Sequence, residues 1–230
     1  MANLVLWGHH LDEYQEMFDL NNKDLQGRLL EYGSGPSAFN VEVASRATEC
    51  VSCDALFNLD ESTLKTKATL VFADRAAQIA AQEASYDFSE YGNLQGLMKK
   101  REEGMALFFS DYQKGVSESR YVGIKEIELP FYDFKFDLAL SSHYFFAGLD
   151  NQDIDFHIKA IQELARVAYE VRIFPLIDNH GELSAYLGPV LLGLQQMSYG
   201  TEIRSVPYHL EPKGNAMLRV WAHQCQAKAA

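Results

Sequence analysis

Three sets of residues in this chain have types and spacing suited to chemistry. The first is the run Glu31-Tyr-Gly33-Ser34-Gly35-Pro-Ser37-Ala38. Glycines at the end of a strand let a ligand approach the backbone with no side chain between, and a helix that follows offers unpaired N–H groups at its start. Gly33, Gly35 and Ala38 also satisfy the G-x-G-x-x-A fingerprint that holds a pyrophosphate, and a tight turn that binds nothing has the same composition. Glu31 bears on that choice, because a carboxylate just before the glycines repels a pyrophosphate and attracts an ammonium group. The second is Asp54, 23 positions after Glu31 and at the tip of the next strand, where it can accept hydrogen bonds from both hydroxyls of a ribose. Were Glu31 and Asp54 ordinary solvated loop acids, neither the spacing nor the strand contexts would be needed. The third is His143, at the carboxyl end of a strand, where open α/β sheets bind ligands. It is placed to act as a base, and equally to be a wall against which a ligand packs.

These residues need a sheet to hold them. Leu11, Tyr14 and Phe18 share one helical face, with acids elsewhere, which predicts an amphipathic helix ending near Asn21 and Asn22. Arg28 to Tyr32 reads as a strand, Gly33 to Gly35 as a turn, and Pro36 suits the first turn of a helix running to about Ala47. Glu49 to Cys53 gives a second strand ending at Asp54. From Asp60 to Gly115 the pattern is helical, far more than one crossover requires, and the excess reads as a helical insertion or cap over about 60–119. Tyr121 to Leu129, Phe136 to Ser142 and Tyr169 to Ile177 read as further strands, with a helix over Asp153 to Ala168. Such alternation builds a parallel sheet with helices on both faces. After a helix around Tyr186 to Tyr199, Thr201 to Leu210 and Ala216 to Ala222 bracket a short turn and must be antiparallel. The fold class is therefore α/β, a doubly wound, mostly parallel seven-stranded sheet with an antiparallel terminal pair.

Composition bounds the function. With 230 residues, 47% hydrophobic and 23% charged, the chain reads as one domain over 1–230 with a full core. The 32 acidic residues against 20 basic give a net charge of −12, a field that repels nucleic-acid phosphates and anionic lipids. The run Lys99-Lys100-Arg101 reads as a solvated helix face. The first ten residues lack the pattern of a signal peptide, and no run of about 18 apolar residues occurs; the expectation is a soluble, cytoplasmic protein. Cys50 and Cys53, three apart in a strand, point to opposite faces and read as buried thiols rather than a metal or redox pair. No metal is expected.

With Glu31-x-Gly33-x-Gly35 and Asp54 in place, the stretch Leu129-Pro-Phe131-Tyr-Asp133-Phe-Lys-Phe136-Asp137-Leu-Ala-Leu-Ser-Ser142-His143 completes a pattern that resembles the class I S-adenosylmethionine-dependent methyltransferases over roughly Leu29 to Ile177. The resemblance implies the Rossmann-like methyltransferase fold and S-adenosylmethionine as cofactor. It implies that Glu31 and the loop Gly33, Ser34 and Gly35 meet the methionine part, that Asp54 binds ribose, and that Ser142 and His143 line the site beneath the methyl group. The third glycine of the family loop is Ser37 here. The acid that reads adenine in the family falls at Lys125, with Glu126 beside it as the substitute. Tyr14 either folds over the methionine end of the cofactor or docks its helix on the core. Tyr144, Phe145 and Phe146 suit an aromatic pocket or plain core packing, and His157 a structural role.

Methyl transfer is an in-line displacement for which alignment and exclusion of water are the main requirements. The acceptor is expected to be a small or medium molecule enclosed by the insertion, or a basic protein drawn to the acidic surface. Two other classes stay open: a binding or regulatory protein without turnover, and an NAD-dependent oxidoreductase, which would need a substrate domain this chain is too short to hold. Oligomeric state is open.

Overall fold

The segments around the glycine turn set the architecture. In the computed structural model, which describes residues 8–125, 127–146 and 152–222, helix α1 (Leu11–Phe18) and the single turn α2 (Asn22–Leu25) lead into strand β1 (Arg28–Tyr32). There follow α3 (Phe39–Val43), β2 (Glu49–Asp54), α4 (Glu61–Ala81), α5 (Leu94–Ser117), β3 (Tyr121–Gly123), β4 (Phe136–Ser142), α6 (Ile154–Val167), β5 (Ala168–Phe174), α7 (Leu187–Gln196), β6 (Tyr199–Ser205) and β7 (Ala216–Ala222). The seven strands form one sheet in the order β3-β2-β1-β4-β5-β7-β6, parallel except for β7, which runs antiparallel to both its neighbours.

Alternation along the strands divides the core. Leu29, Cys50, Leu138 and Leu140 face α1 and α3, whereas Leu30, Cys53, Ala139 and Val171 face α6 and α7. The two cysteines thus lie on opposite faces, as their spacing requires, and burial raises both thiols, that of Cys53 to about 12. Helix starts follow local capping: the side chains of Asp60, Asn93 and Asp153 accept from N–H groups in the first turns of α4, α5 and α6. A third, smaller core joins Leu64 of α4 and Phe108 and Tyr112 of α5 to Phe57 and Tyr121, which seats the helical pair on the β3 edge. No helix among the described residues is long and apolar enough to cross a membrane.

Four elements differ in extent from the sequence reading. The third strand stops at Gly123 because its one partner, β2, ends at Asp54. Asn58 then turns the chain by donating to the Ile124 carbonyl at 2.8 Å. The helix after the glycine turn starts at Phe39 rather than Pro36, since the Ser37 hydroxyl takes the Phe39 N–H at 3.0 Å and supplies the cap. β5 ends at Phe174 and β6 at Ser205, in each case shortly before a proline, Pro175 or Pro207, that has no N–H for the ladder. Arg101 departs further: it is 0% exposed, not solvated with Lys99.

Candidate active site

β1 delivers Glu31 and the glycine turn together. Glu31 pairs in register with Ser52 on β2, and both face α1. The Ser52 hydroxyl donates to Glu31 Oε2 at 2.5 Å and the Tyr14 hydroxyl donates to Oε1 at 2.6 Å. Burial pushes the Glu31 carboxyl above its usual range, and the hydroxyl donors oppose that rise. Tyr14 is itself wholly buried, its ring stacked on Phe39 at 4.3 Å, so it docks α1 while its hydroxyl holds Glu31. The polar chain continues inward: Asn40 Nδ2 donates to the Ser52 hydroxyl at 2.9 Å, Arg120 donates to Asn40 Oδ1 at 2.7 Å, and Asp111 of α5 pairs with Arg120.

Beyond β1 the backbone turns at Gly33 (φ +69°) and Gly35 (φ +57°). Gly33 N–H bonds the Cys53 carbonyl at 2.8 Å, and the Ser34 hydroxyl leans on the Gly35 carbonyl at 3.2 Å. Asp54 clamps this turn, with Oδ2 accepting from Gly35 N–H and Oδ1 from Leu56 N–H, both at 2.8 Å. Burial raises its pKa, against the pull of those two donors. The close approach that Gly33 permits is made here by Tyr144: a Cβ on Gly33 would overlap the Tyr144 ring. Gly33→Ala is therefore expected to cost about 1–2 kcal/mol from the left-handed backbone and more from the clash, with part of the loss recovered in a Tyr144→Ala background. Urea denaturation of the four proteins measures this, and an equal loss in both backgrounds would assign the whole cost to φ.

β4 delivers Ser142 and His143. His143 adopts φ +57°, uncommon for a residue with a side chain. Its N–H bonds the Phe174 carbonyl at 2.6 Å, and its Nδ1 lies 2.7 Å from the Ser142 hydroxyl. The ring stacks on His9 at 4.7 Å between centroids. Desolvation, reinforced by Arg101 and Arg75, lowers His143 to about 3, and His9 is lowered in the same direction for the same first cause. Both imidazoles are neutral at physiological pH.

Between pH 6.5 and about 3 the unfolded chain holds a proton on His143 that the folded chain does not. The stability linked to this group is complete above pH 6.5 and declines as the pH falls toward 3. His143→Gln should therefore lose less stability than the unsubstituted chain between pH 7 and pH 5 in urea titrations; equal losses would mean the ring is protonated in the folded state.

His9 and Arg101 were not singled out as site residues by the sequence, yet both stand beside His143. Together with Arg75, Tyr208, Glu211 and Phe174 they line a cavity of about 20 Å³ at the carboxyl edge of β4 and β5, roofed by α4 and α5. Arg101 follows Leu97 by four positions and precedes Phe108 by seven, which is the buried stripe of α5, and that periodicity was the available signal. His157 is structural: Nε2 accepts from Phe146 N–H at 3.1 Å and fixes the turn after His143. Phe145 and Phe146 are core residues. Lys125 is exposed, and Glu126 lies outside the described residues. A larger groove of about 610 Å³ between α1, α3 and α5 is open to solvent, and its charges pair with one another, His10 with Glu42 and Lys100 with Asp12.

No family model matches the chain. It is 28% identical over 220 residues to an uncharacterised protein of Methanocaldococcus jannaschii, a match spanning 95% of this chain and 96% of that protein. Among solved structures it is similar to a SAM-dependent methyltransferase from Aquifex aeolicus, at 14% identity over 91% of this chain and 92% of that one, with a TM-score of 0.42. It is also similar to the N-methyltransferase NodS from Bradyrhizobium japonicum in complex with S-adenosylhomocysteine, at 11% identity over 88% and 84%, with a TM-score of 0.46. The strand order, with β7 inserted antiparallel between β5 and β6, is what gives this chain the Rossmann-like methyltransferase fold.

Proposed function

We propose that the chain is an S-adenosylmethionine-dependent methyltransferase acting on a small acceptor enclosed by α4 and α5. The observation that carries this reading is the joint placement of Glu31, the Gly33–Gly35 turn and Asp54 at the carboxyl edge of β1 and β2, with Asp54 clamping the turn through Gly35 N–H. These residues fit the cofactor in kind. Glu31 answers an ammonium group, the backbone of Gly33, Ser34 and Gly35 a carboxylate, and Asp54 a pair of ribose hydroxyls. The space beside Gly33 is filled by the Tyr144 ring, so that ring turns aside when a ligand lies against the loop.

The cofactor supplies an electrophilic methyl group on a sulfonium; the chain aligns, excludes water and handles the proton. Ser142 and His143 stand at the end of the adjacent strand β4, on the methyl-bearing side in this reading. Since His143 Nδ1 is engaged with Ser142, Nε2 is the nitrogen left to take a proton from an acceptor hydroxyl or amine. The neutral ring is in the correct state to accept that proton, although its depressed basicity calls for an acceptor that favours the imidazolium. Glu31 also weighs against a dinucleotide, because a buried acid beneath the turn opposes a pyrophosphate.

Isothermal titration calorimetry with S-adenosylmethionine, S-adenosylhomocysteine and NAD tests the reading. Micromolar binding of the first two, without NAD, is the expected result. Binding of NAD alone, or of none of the three, would sink it. Binding without turnover on any acceptor tried would favour a regulatory protein that keeps the pocket.

A further inference from the structure

The cavity beside His143 has a chemistry that the cofactor does not account for. Its walls come from six places far apart in the sequence: the N-terminal segment (His9), α4 (Arg75), α5 (Arg101), the end of β4 (His143), and Tyr208 and Glu211 after β6. Two of the charged groups lining it are guanidiniums and one is a carboxylate. Arg101 is fully buried and bonds Glu13, behind the wall, at 2.5 Å and the Tyr208 hydroxyl at 3.1 Å. Arg75 reaches Glu211 at a longer 3.3 Å. The lining is thus positive in balance, in a place with little water to screen it. About 20 Å³ is room for one or two waters, which suits the head of a small ligand and not its whole body.

We propose that this cavity takes the carboxylate of the methyl acceptor, so that the substrates are small organic acids bearing a nucleophilic hydroxyl or amine. The assignment rests on the methyl-transfer reading above, and it adds the substrate class. Planar guanidiniums match a carboxylate in shape as well as charge. The assignment also resolves the weak basicity of His143: the same Arg101 and Arg75 that disfavour the imidazolium are offset once an anion lies between them and the ring, and the imidazole then gains affinity for a proton. A neutral acceptor would leave that repulsion in place.

Formate is a suitable probe, with formamide as its uncharged counterpart of the same size. The ring-nitrogen resonances of His143 and His9 are followed in ¹⁵N-histidine-labelled protein at constant ionic strength, without cofactor, and assigned with His143→Gln and His9→Gln. The expected result is a saturable shift with formate, none with formamide, and at least tenfold weaker binding in Arg75→Gln. Equal responses to formate and formamide, or an unaltered response in a folded Arg75→Gln, would overturn the assignment. The first comparison needs no variant, so it decides the matter even if Arg75→Gln does not fold. S-adenosylmethionine titrated into the same samples separates the two readings. Cofactor binding without a formate response removes the substrate class alone, and a formate response without cofactor binding removes methyl transfer and leaves an anion pocket.

Discussion

Arg101→Met should lower the stability of the chain by about 3–5 kcal/mol, the usual consequence of removing one partner of a buried ion pair. The replacement keeps most of the volume, so the loss comes from charge. The Glu13 carboxylate, almost wholly buried, would keep the Tyr91 hydroxyl at 2.6 Å and its contact with His10 N–H at 3.0 Å, but no countercharge. Burial works against the Arg101 charge, yet Tyr208, Glu13 and Tyr91 outweigh it and keep the guanidinium protonated more firmly than usual. The double variant Arg101→Met with Glu13→Gln should be more stable than Arg101→Met alone, because no uncompensated charge remains. Urea denaturation of the three proteins decides this; a loss below about 1 kcal/mol in the single variant would mean that water reaches Glu13 and that the pair is not buried in solution.

Asp54→Ala is expected to weaken S-adenosylmethionine by about 10- to 100-fold, since hydrogen bonds to a charged group contribute about 1.5–3 kcal/mol each. The same change leaves Gly35 N–H and Leu56 N–H without their acceptor, which should lower stability by about 1–3 kcal/mol. The two effects separate in Asp54→Asn, whose carbonyl oxygen can serve one backbone donor while the charge is lost. Calorimetry and urea titration on both variants should show affinity falling in each and stability falling mainly in the alanine. Normal cofactor affinity in Asp54→Asn would remove Asp54 from the ribose contact and leave it a structural clamp for the turn.

What could be seen from the sequence was what is local. Glu31, Gly33, Gly35 and Asp54 sit at strand ends within 24 residues, and strand ends are marked by composition, so both the turn and its acid were readable. The seven strands and the antiparallel terminal pair followed from alternation in the same way. Features set by partners distant in the chain were not readable. Glu13 and Arg101 are 88 positions apart, and only the packing of α5 against the N-terminal segment brings them together. That packing depends on Gly8 and Gly104, whose backbones touch where a Cβ on either would collide. His9 reaches His143 by the same approach. A charged triplet in isolation reads as solvent-facing, because nothing in Lys99-Lys100-Arg101 reveals that the third member falls on the stripe of Leu97 and Phe108. Tyr144 on Gly33 was hidden for a like reason: the glycine announced an approach to the backbone without saying by what.

The hydrogen-bonded chain from Tyr14 through Glu31, Ser52 and Asn40 to Arg120 also bears on misfolding. β1 and β2 are short, largely apolar and parallel, and a slip of one residue in such a pair reverses every side chain to the opposite face. Slipping β1 would carry Glu31 to the side occupied by Leu30 and Tyr32, away from both hydroxyls that satisfy it, and would turn Leu30 toward Tyr14 and Asn40. A buried carboxylate without donors is far more costly than a misplaced leucine. The acid suited to a ligand's ammonium group is thus also a register lock, and it penalises the misaligned sheet before any ligand is present.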